Sequence, residues 1–372
     1  MYQKGRAWAE IDTSTLIHNM NVLRGIVGEH TVPMPVLKGN AYGHGASEIG
    51  SILNREGIRN FCVACLSEAI ELREAGVEGD ILVLGYTYPD CFPELYRYDL
   101  TQAIVSLDYA KQMSSYEHRL KGHVAIDTGM HRIGERFEDK DRILAIWSLP
   151  NIDITGVFSH LCVANEPEPE FKEFSMRQLK AFTDTVQLLH DHGIRGFKTH
   201  IQATHGVFNH RDIEFDFARF GIGLYGGERM FMNYGEAPLD LRPVLSLRSR
   251  IEVIREVHKG EGIGYGLTYT ADRDCRIAAV CIGYADGLKR SLSNKGYCLI
   301  HGKKVPIRGR LCMDQLMIEV TEVPEAKAGD VVTFIGADGE LSIMAEDVAA
   351  LAGTNAHDIL TCIGPRVPRI YI

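Results

Sequence analysis

The sequence predicts an α/β protein, an N-terminal (β/α)8 barrel of the TIM type followed by a β-rich C-terminal domain. Three observations predict it. Eight short apolar runs alternate with amphipathic stretches between about residues 30 and 225, the rhythm of strand and crossover helix in a parallel sheet. No G-x-G-x-x-G follows the first run, so the count of eight favours a closed barrel over an open dinucleotide-binding sheet. Beyond about residue 238 helical periodicity gives way to strand-like segments broken by Gly, Asp and Asn.

The runs are VPMPVLK (32–38), NFCVACLS (60–67), GDILVLGY (79–86), LTQAIVS (100–106), GHVAID (122–127), IDITGVFSH (152–160), GFKTHIQA (196–203) and RFGIGLYG (219–226). They are short, rich in β-branched residues and mostly bounded by Gly, Asp or Asn, as strands buried on both faces are. Between them SEAIELREAG (67–76) and FSMRQLKAFTDTVQLLHDHG (174–193) read as helices. The second repeats apolar residues at i, i+3 and i+4 and stops at Gly193, a natural C-cap. The domain boundary is expected in NYGEAPLDLRP (233–243), giving a barrel over 12–238 and a β-rich domain over 239–372, which the N-terminal strand at 1–11 joins. In that domain LSLRSRIEVIREV, RIAAVCIG, YCLIHGKKVPIRG, QLMIEV and DVVTFIG read as strands, with a short helix near 343–352 and a last strand at 366–372.

With 372 residues, 45% hydrophobic and 24% charged, the chain can bury a large core, which excludes disorder as its main state. A net charge of −9 argues against a surface that tracks nucleic-acid phosphates. No window of 18 uninterrupted apolar residues exists, and the opening MYQKGRAWAEID has no apolar signal core, so no membrane contact is expected from this segment. The 9 cysteines, an odd number set mostly in apolar runs, read as reduced thiols in a cytoplasmic protein. Cys62 and Cys65 form a lone C-x-x-C. Zinc needs about four ligands, so both are read as core and no metal site is expected.

The first chemistry-bearing stretch is PVLKGNAYGHG (35–45). Lys38 would end the first barrel strand, on the face where such barrels place their chemistry. Burial there lowers a lysine's pKa and frees its amine, and a Schiff base with a carbonyl cofactor is the natural use. Tyr42 is expected at the start of a helix, where its hydroxyl and the helix N-terminus would both meet a phosphate.

K-G-N-A-Y-G-H-G is similar to the pyridoxal 5′-phosphate site of the alanine racemase family. WAEID (8–12), DTGMHRIG (127–134), GVFSHL (156–161), RFGIGLYG (219–226), GIGYGLTYTA (262–271), IGYADG (282–287), GRLCMDQ (309–315) and IGPRVPRIY (363–371) resemble that family too, and in its order. The resemblance implies that Lys38 carries the cofactor and is one of two bases, with Tyr265 of a partner subunit as the other. Two bases on opposite faces of the α-carbon remove and return a proton without turning the substrate. A free tyrosine has a pKa of ~10, so Tyr265 needs help from neighbours, for which His160, against the cofactor, and His200 are the candidates. Arg219 would face the pyridine nitrogen, donating a hydrogen bond without giving up its proton, or pair a carboxylate such as Asp216. Tyr42, Thr204, Gly221 and Ile222 would hold the phosphate, and Arg132, Met313 and Tyr284 the substrate.

The chain departs from the family in three places. Many relatives have, two residues before DTG, a carbamylated lysine that braces the substrate-binding arginine. Ala125 stands here, so Arg132 lacks that brace or has a substitute such as bound chloride. HIQATH (200–205) replaces H-x-A-N-S-A, keeping only the hydroxyl, at Thr204. GTNAHD (353–358) puts His357 where a cofactor-touching tyrosine is usual and adds Asn355 two residues before it. A roomier, more polar pocket that bonds a hydroxyl favours serine over alanine. The expected activity is therefore racemisation of serine, alanine or both, supplying D-amino acid for the cell wall, by a homodimer with shared active sites. The alternatives are a strict alanine racemase, a decarboxylase on the same architecture and a non-catalytic pyridoxal phosphate carrier. The serine racemases of glycopeptide resistance carry such a domain behind a membrane-spanning segment, and this chain is expected to match that domain.

Overall fold

The computed structural model describes residues 4–227 and 239–372. The described residues divide into two compact units, one within Met20–Asn40 and Ala46–Gly221, the other within Met1–Asn19, Ala41–Gly45 and Ile222–Ile372. Most of the expected boundary stretch, 233–238, lies outside the described residues.

The first unit is a closed parallel barrel. After β1 (Ala7–Ile11), which belongs to the other unit, come β2 (Val32–Pro35), β3 (Asn60–Val63), β4 (Asp80–Val83), β5 (Thr101–Ile104), β6 (Leu120–Asp127), the two-residue β7 (Glu135–Arg136), β8 (Ile152–Phe158), β9 (Lys198–His200) and β10 (Phe217–Phe220). Neighbours pair in parallel from β3 through β4, β5, β6 and β8 to β9, with β7 a side strand on β6. β10 pairs β2 in register Phe217↔Val32, and single bridges at Val36↔Cys62 and Ala203↔Arg219 close the ring. Ile81, Leu82, Val83 and Ala103 are fully or almost fully buried, as barrel strands covered by helices require.

Local chemistry explains most element ends. The long helix spans Pro169–Asp191 and begins five residues before the expected start, because Pro169 at its first position supplies a preset φ. It ends as expected before Gly193, whose φ of 77° suits a residue without Cβ. The eighth run was placed too late: β10 is Phe217–Phe220, and Ile222–Tyr225 form a 3-10 turn. A larger departure follows Lys38. Gly39, Asn40, Ala41 and Tyr42 all have φ between 52° and 62°, one turn of left-handed helix. Tyr42 therefore ends a left-handed turn rather than starting a right-handed helix, which begins only at Ala46. Left-handed turns cost about 1–2 kcal/mol per residue with a Cβ, and tertiary bonds offset it. Glu68 accepts from Gly39 N–H at 2.6 Å and Ala64 N–H at 2.7 Å, and Asn40 Oδ1 accepts from Ala46 N–H at 2.8 Å.

The second unit is built on a nine-stranded sheet. Its longest strand, β11 (Leu245–Val257), pairs antiparallel with β1 in register Ala7↔Ser249. β1 also runs parallel to the C-terminal strand Arg369–Tyr371, so both chain ends lie in this sheet. Trp8, Ile11, Leu247 and Leu299 are buried in it. Two helices, Ala345–Ala352 and Ala356–Thr361, stand where the sequence predicted one. Of the C-x-x-C pair, Cys62 is buried, but Cys65 is exposed and is not core.

Candidate active site

Each unit carries its own set of the expected residues. In the barrel they follow the carboxyl ends of strands: Lys38 after β2, Arg132 after β6, His160 after β8, Thr204 after β9 and Gly221 after β10, with Arg219 on β10 itself. Lys38 is exposed at this face rather than buried as the sequence suggested, yet desolvation by the surrounding protein and then the charge of Arg132 lower its ammonium pKa below the usual lysine value. His160 is pushed down to about 3 by burial, then by the charges of Arg219, Arg132 and Lys38, which places these four groups within electrostatic reach of one another.

Arg219 is the buried hub. Its Nη2 donates to Ser159 O at 2.7 Å, Ile201 O at 2.9 Å and His160 Nδ1 at 3.2 Å, and its Nη1 donates to His200 Nδ1. Asp216 does not pair with it; that carboxylate bonds Lys198 and Thr199 instead. Among the described residues the Arg219 Nε–H has no protein acceptor. A neutral His160 that accepts at Nδ1 carries its proton on Nε2. His200 has both ring nitrogens engaged inside the barrel, with Arg219 and with His123, so of the two histidines only His160 retains a donor to offer a phenol. Gln178, buried on the long helix, was not singled out in the sequence. It donates to Thr128 Oγ1 at 3.2 Å and His160 O at 3.0 Å and accepts from Cys162 N–H at 3.1 Å, pinning the segment that carries His160. A glutamine on the buried helix face among Leu179, Phe182 and Leu189 was the available signal.

Arg132 is exposed, and its guanidinium bonds no described side chain. Ala125 packs with Ala103 and Phe158 in an apolar cluster, so these side chains offer no donor for a bracing anion there. The Asp127 carboxylate holds the loop before Arg132: its Oδ1 accepts from Gly129 N–H and His131 N–H, each at 3.0 Å, and its Oδ2 meets His131 Nδ1 at 2.9 Å.

In the second unit Tyr42 lies 5.1 Å from Tyr225 and 5.7 Å from His357, ring centroid to centroid. Asn355 is the N-cap of Ala356–Thr361: its Oδ1 accepts from Asp358 N–H at 3.0 Å, leaving only its NH2 to meet a substrate. Tyr284 N–H and Ala285 N–H donate to Cys312 O at 3.1 Å and Met313 O at 3.0 Å, joining the Tyr284 and Met313 segments. Tyr265 sits between two glycines with φ of 71° and is 70% exposed; Met313 is 52% exposed. Neither has a place in the interior of its unit. Ile222 is buried at the start of the 3-10 turn.

A closed barrel with a lysine and an exposed arginine at its carboxyl face and a buried arginine hub, joined in one chain to a β-rich unit with an exposed tyrosine, has the layout of a two-domain amino-acid racemase. The family descriptions "Alanine racemase, N-terminal domain" and "Alanine racemase, C-terminal domain" match residues 11–229 and 244–371. An alanine racemase of Carboxydothermus hydrogenoformans is 37% identical over 369 residues, 98% of this chain and 99% of that protein. An amino-acid racemase of Enterococcus faecalis (36% identity, 96% of this chain) and a serine/alanine racemase of Enterococcus gallinarum (37%, 97% of this chain) are longer; the chain spans 50% and 51% of their lengths. The crystal structure of alanine racemase from Bartonella henselae with covalently bound pyridoxal phosphate superposes with a TM-score of 0.86 at 28% identity, covering 99% of this chain and 100% of that one. The chain belongs to the alanine racemase family, amino-acid isomerases whose cofactor is pyridoxal phosphate.

The donor set fits that cofactor. Lys38 offers an amine for an aldehyde, and the Arg219 Nε–H is an uncommitted donor suited to a ring nitrogen. Thr204 Oγ1 accepts from Gly221 N–H at 3.2 Å, which leaves its own hydrogen to donate to a phosphate.

Proposed function

We propose that the protein interconverts the L and D forms of serine and alanine by a two-base mechanism, as a homodimer. The observation that carries this reading is Lys38, which opens onto the barrel's carboxyl face directly after β2 with its pKa lowered by desolvation and by the Arg132 charge. Bound pyridoxal phosphate supplies an electron sink that acidifies the substrate's α-carbon. Lys38 holds the cofactor and moves the proton on one face. Tyr265 of a second copy serves the other face, with the His160 Nε2–H as the donor that favours its phenolate. Its high exposure, and that of Met313 in the same unit, supports a partner's covering both. Arg132 binds the substrate carboxylate with its planar fork, and the Met313 amide and Tyr284 complete that side. Tyr42, Thr204, the Ile222 amide and His357 hold the cofactor, while the Gly221 N–H, expected on the phosphate, positions the Thr204 hydroxyl instead. Arg219 donates to the ring nitrogen and, as an arginine, keeps its proton. Held this way, the cofactor would supply a weaker electron sink, which suits return of the proton to the α-carbon over loss of the amine.

Serine is included because His357 and Asn355 make the expected pocket polar, and a site that bonds a hydroxyl rewards the substrate that has one. Resemblance to both an alanine and a serine/alanine racemase is in keeping with a dual substrate range. The test is deuterium incorporation from heavy water at the α-carbon, with L- and D-serine and L- and D-alanine on one preparation. Exchange in all four supports the proposal. Exchange with alanine alone restricts the enzyme to alanine, and carbon dioxide release without exchange would make it a decarboxylase.

A further inference from the structure

Arginine has only donors, so the bond from Arg219 Nη1 makes His200 Nδ1 the acceptor. His200 is fully buried, and burial followed by the Arg219 charge holds it neutral. A neutral imidazole has one proton, which therefore stands on Nε2. That nitrogen is 2.9 Å from His123 Nδ1, which accepts it. His123 is also held neutral, pushed down to about 3 by burial and then by Arg219, so its own proton stands on Nε2. Only one pair of tautomers satisfies the chain. The rings cannot easily turn to another. His200 stacks on Phe158 at 5.1 Å with 4° between planes. His123 lies against Gly156, where a Cβ would come within 2.7 Å of its ring.

We propose that His123 is a positioning residue for racemisation: by accepting the Nε2 proton of His200 it keeps His200 an acceptor for Arg219, and so keeps the Arg219 Nε–H as the uncommitted donor. The inference rests on Arg219 being the partner of the cofactor's ring nitrogen, as proposed above. Without His123, His200 is free to place its proton on Nδ1, against the hydrogens of Arg219. The guanidinium then turns, the ring nitrogen loses its donor, and solvent can protonate it. A protonated ring is a stronger electron sink, which favours abortive amino transfer: the substrate's amine passes to the cofactor's aldehyde carbon, its oxygen passes to the substrate carbon, and a 2-oxo acid leaves.

The test uses the holoenzyme with nitrogen-15 histidine, His200 being assigned with His200→Asn. Wild type should show His200 neutral and protonated on Nε2. His123→Phe, which keeps a ring but removes the acceptor, should move protons to Nδ1. His123→Gln, whose amide oxygen accepts, should restore the wild-type pattern. In parallel, racemisation turnovers per cofactor lost to amino transfer should fall about tenfold or more in the Phe variant and recover in the Gln variant. A wild-type His200 protonated on Nδ1 overturns the proposal, and needs no variant to fold. So do equal losses of partition in the two variants. The expected wild-type tautomer in an enzyme that racemises nothing would instead overturn the reading of function, since the tautomer chain does not depend on it.

Discussion

At the scale of single residues the site is a set of commitments, and knowing which atoms are spent decides what remains for chemistry. Arg219 spends Nη1 and Nη2 on the barrel and keeps Nε–H. Asn355 spends its oxygen on a helix cap and keeps its NH2. This sharpens how serine recognition is tested. Asn355→Ala removes the amide donor and the cap together, and loss of a cap alone costs about 0.5–2 kcal/mol. Asn355→Asp keeps the capping oxygen and replaces the donor with a second carboxylate oxygen, whose charge acts on both substrates alike, so the serine-to-alanine ratio is the readout. Serine kcat/KM is expected to drop about tenfold relative to alanine in the Asp variant, with an unchanged melting temperature. Equal losses for both substrates would show that Asn355 does not read the hydroxyl. The residue types at this site were legible in the sequence, because lysine, arginine and histidine beside glycines and strand ends advertise chemistry. Their commitments were not. Which nitrogen of His200 is occupied depends on His123, 77 positions away, and no local pattern encodes that distance.

At the scale of elements, alternation of apolar runs located seven of the eight barrel strands and overlapped only the end of the eighth, because burial on both faces is written into composition. The ends were less legible. Four successive left-handed residues after Lys38 run against the intrinsic preference of Asn, Ala and Tyr, and only Gly39 and Gly43 hint at them. That turn is specified from outside, by Glu68 and by the close approach of the chain at Gly43. A Cβ on Gly43 would lie 2.1 Å from the Leu360 carbonyl oxygen, a backbone atom with little room to move, and φ there is 83°. Gly43→Ala should therefore destabilise the fold by about 1–3 kcal/mol, beyond a surface substitution. It should also weaken cofactor retention by displacing Tyr42, read as cofactor release during gel filtration. A variant with wild-type stability and retention would show that the turn relaxes freely. The two-residue β7 and the second helix at Ala356–Thr361 were missed for a plainer reason: each is too short to show a period.

At the scale of the whole molecule, two consequences follow from where charge is buried and where aromatic surface is not. His44, His123 and His160 have pKa values near 4, 3 and 3, below the ~6.5 of an unfolded histidine. As pH falls through 6.5 the unfolded chain takes up protons that the folded one refuses, so stability present above 6.5 is lost progressively toward pH 4, at up to about 1.4 kcal/mol per pH unit for each histidine. Carboxylates such as Glu10, lowered to about 2, act only below their ordinary value of 4.5. The melting temperature should thus fall between pH 6.5 and 4.5, and a flat profile there would contradict neutral burial. The second consequence concerns assembly. Tyr265 and Leu267 are 70% and 65% exposed on a segment held open by two glycines, an arrangement with no use inside its own unit. If Tyr265 serves a second copy's Lys38, each active site takes one base from each chain. Lys38→Ala and Tyr265→Phe homodimers should each be inactive, since each lacks one base at both sites. Mixed and allowed to exchange subunits, half the dimers are hybrid, and each hybrid holds one site with both bases. Activity should then rise from nothing to about a quarter of wild type. The recovery must track hybrid formation, followed by tagging one variant. A hybrid that forms yet stays inactive places both bases on the same chain.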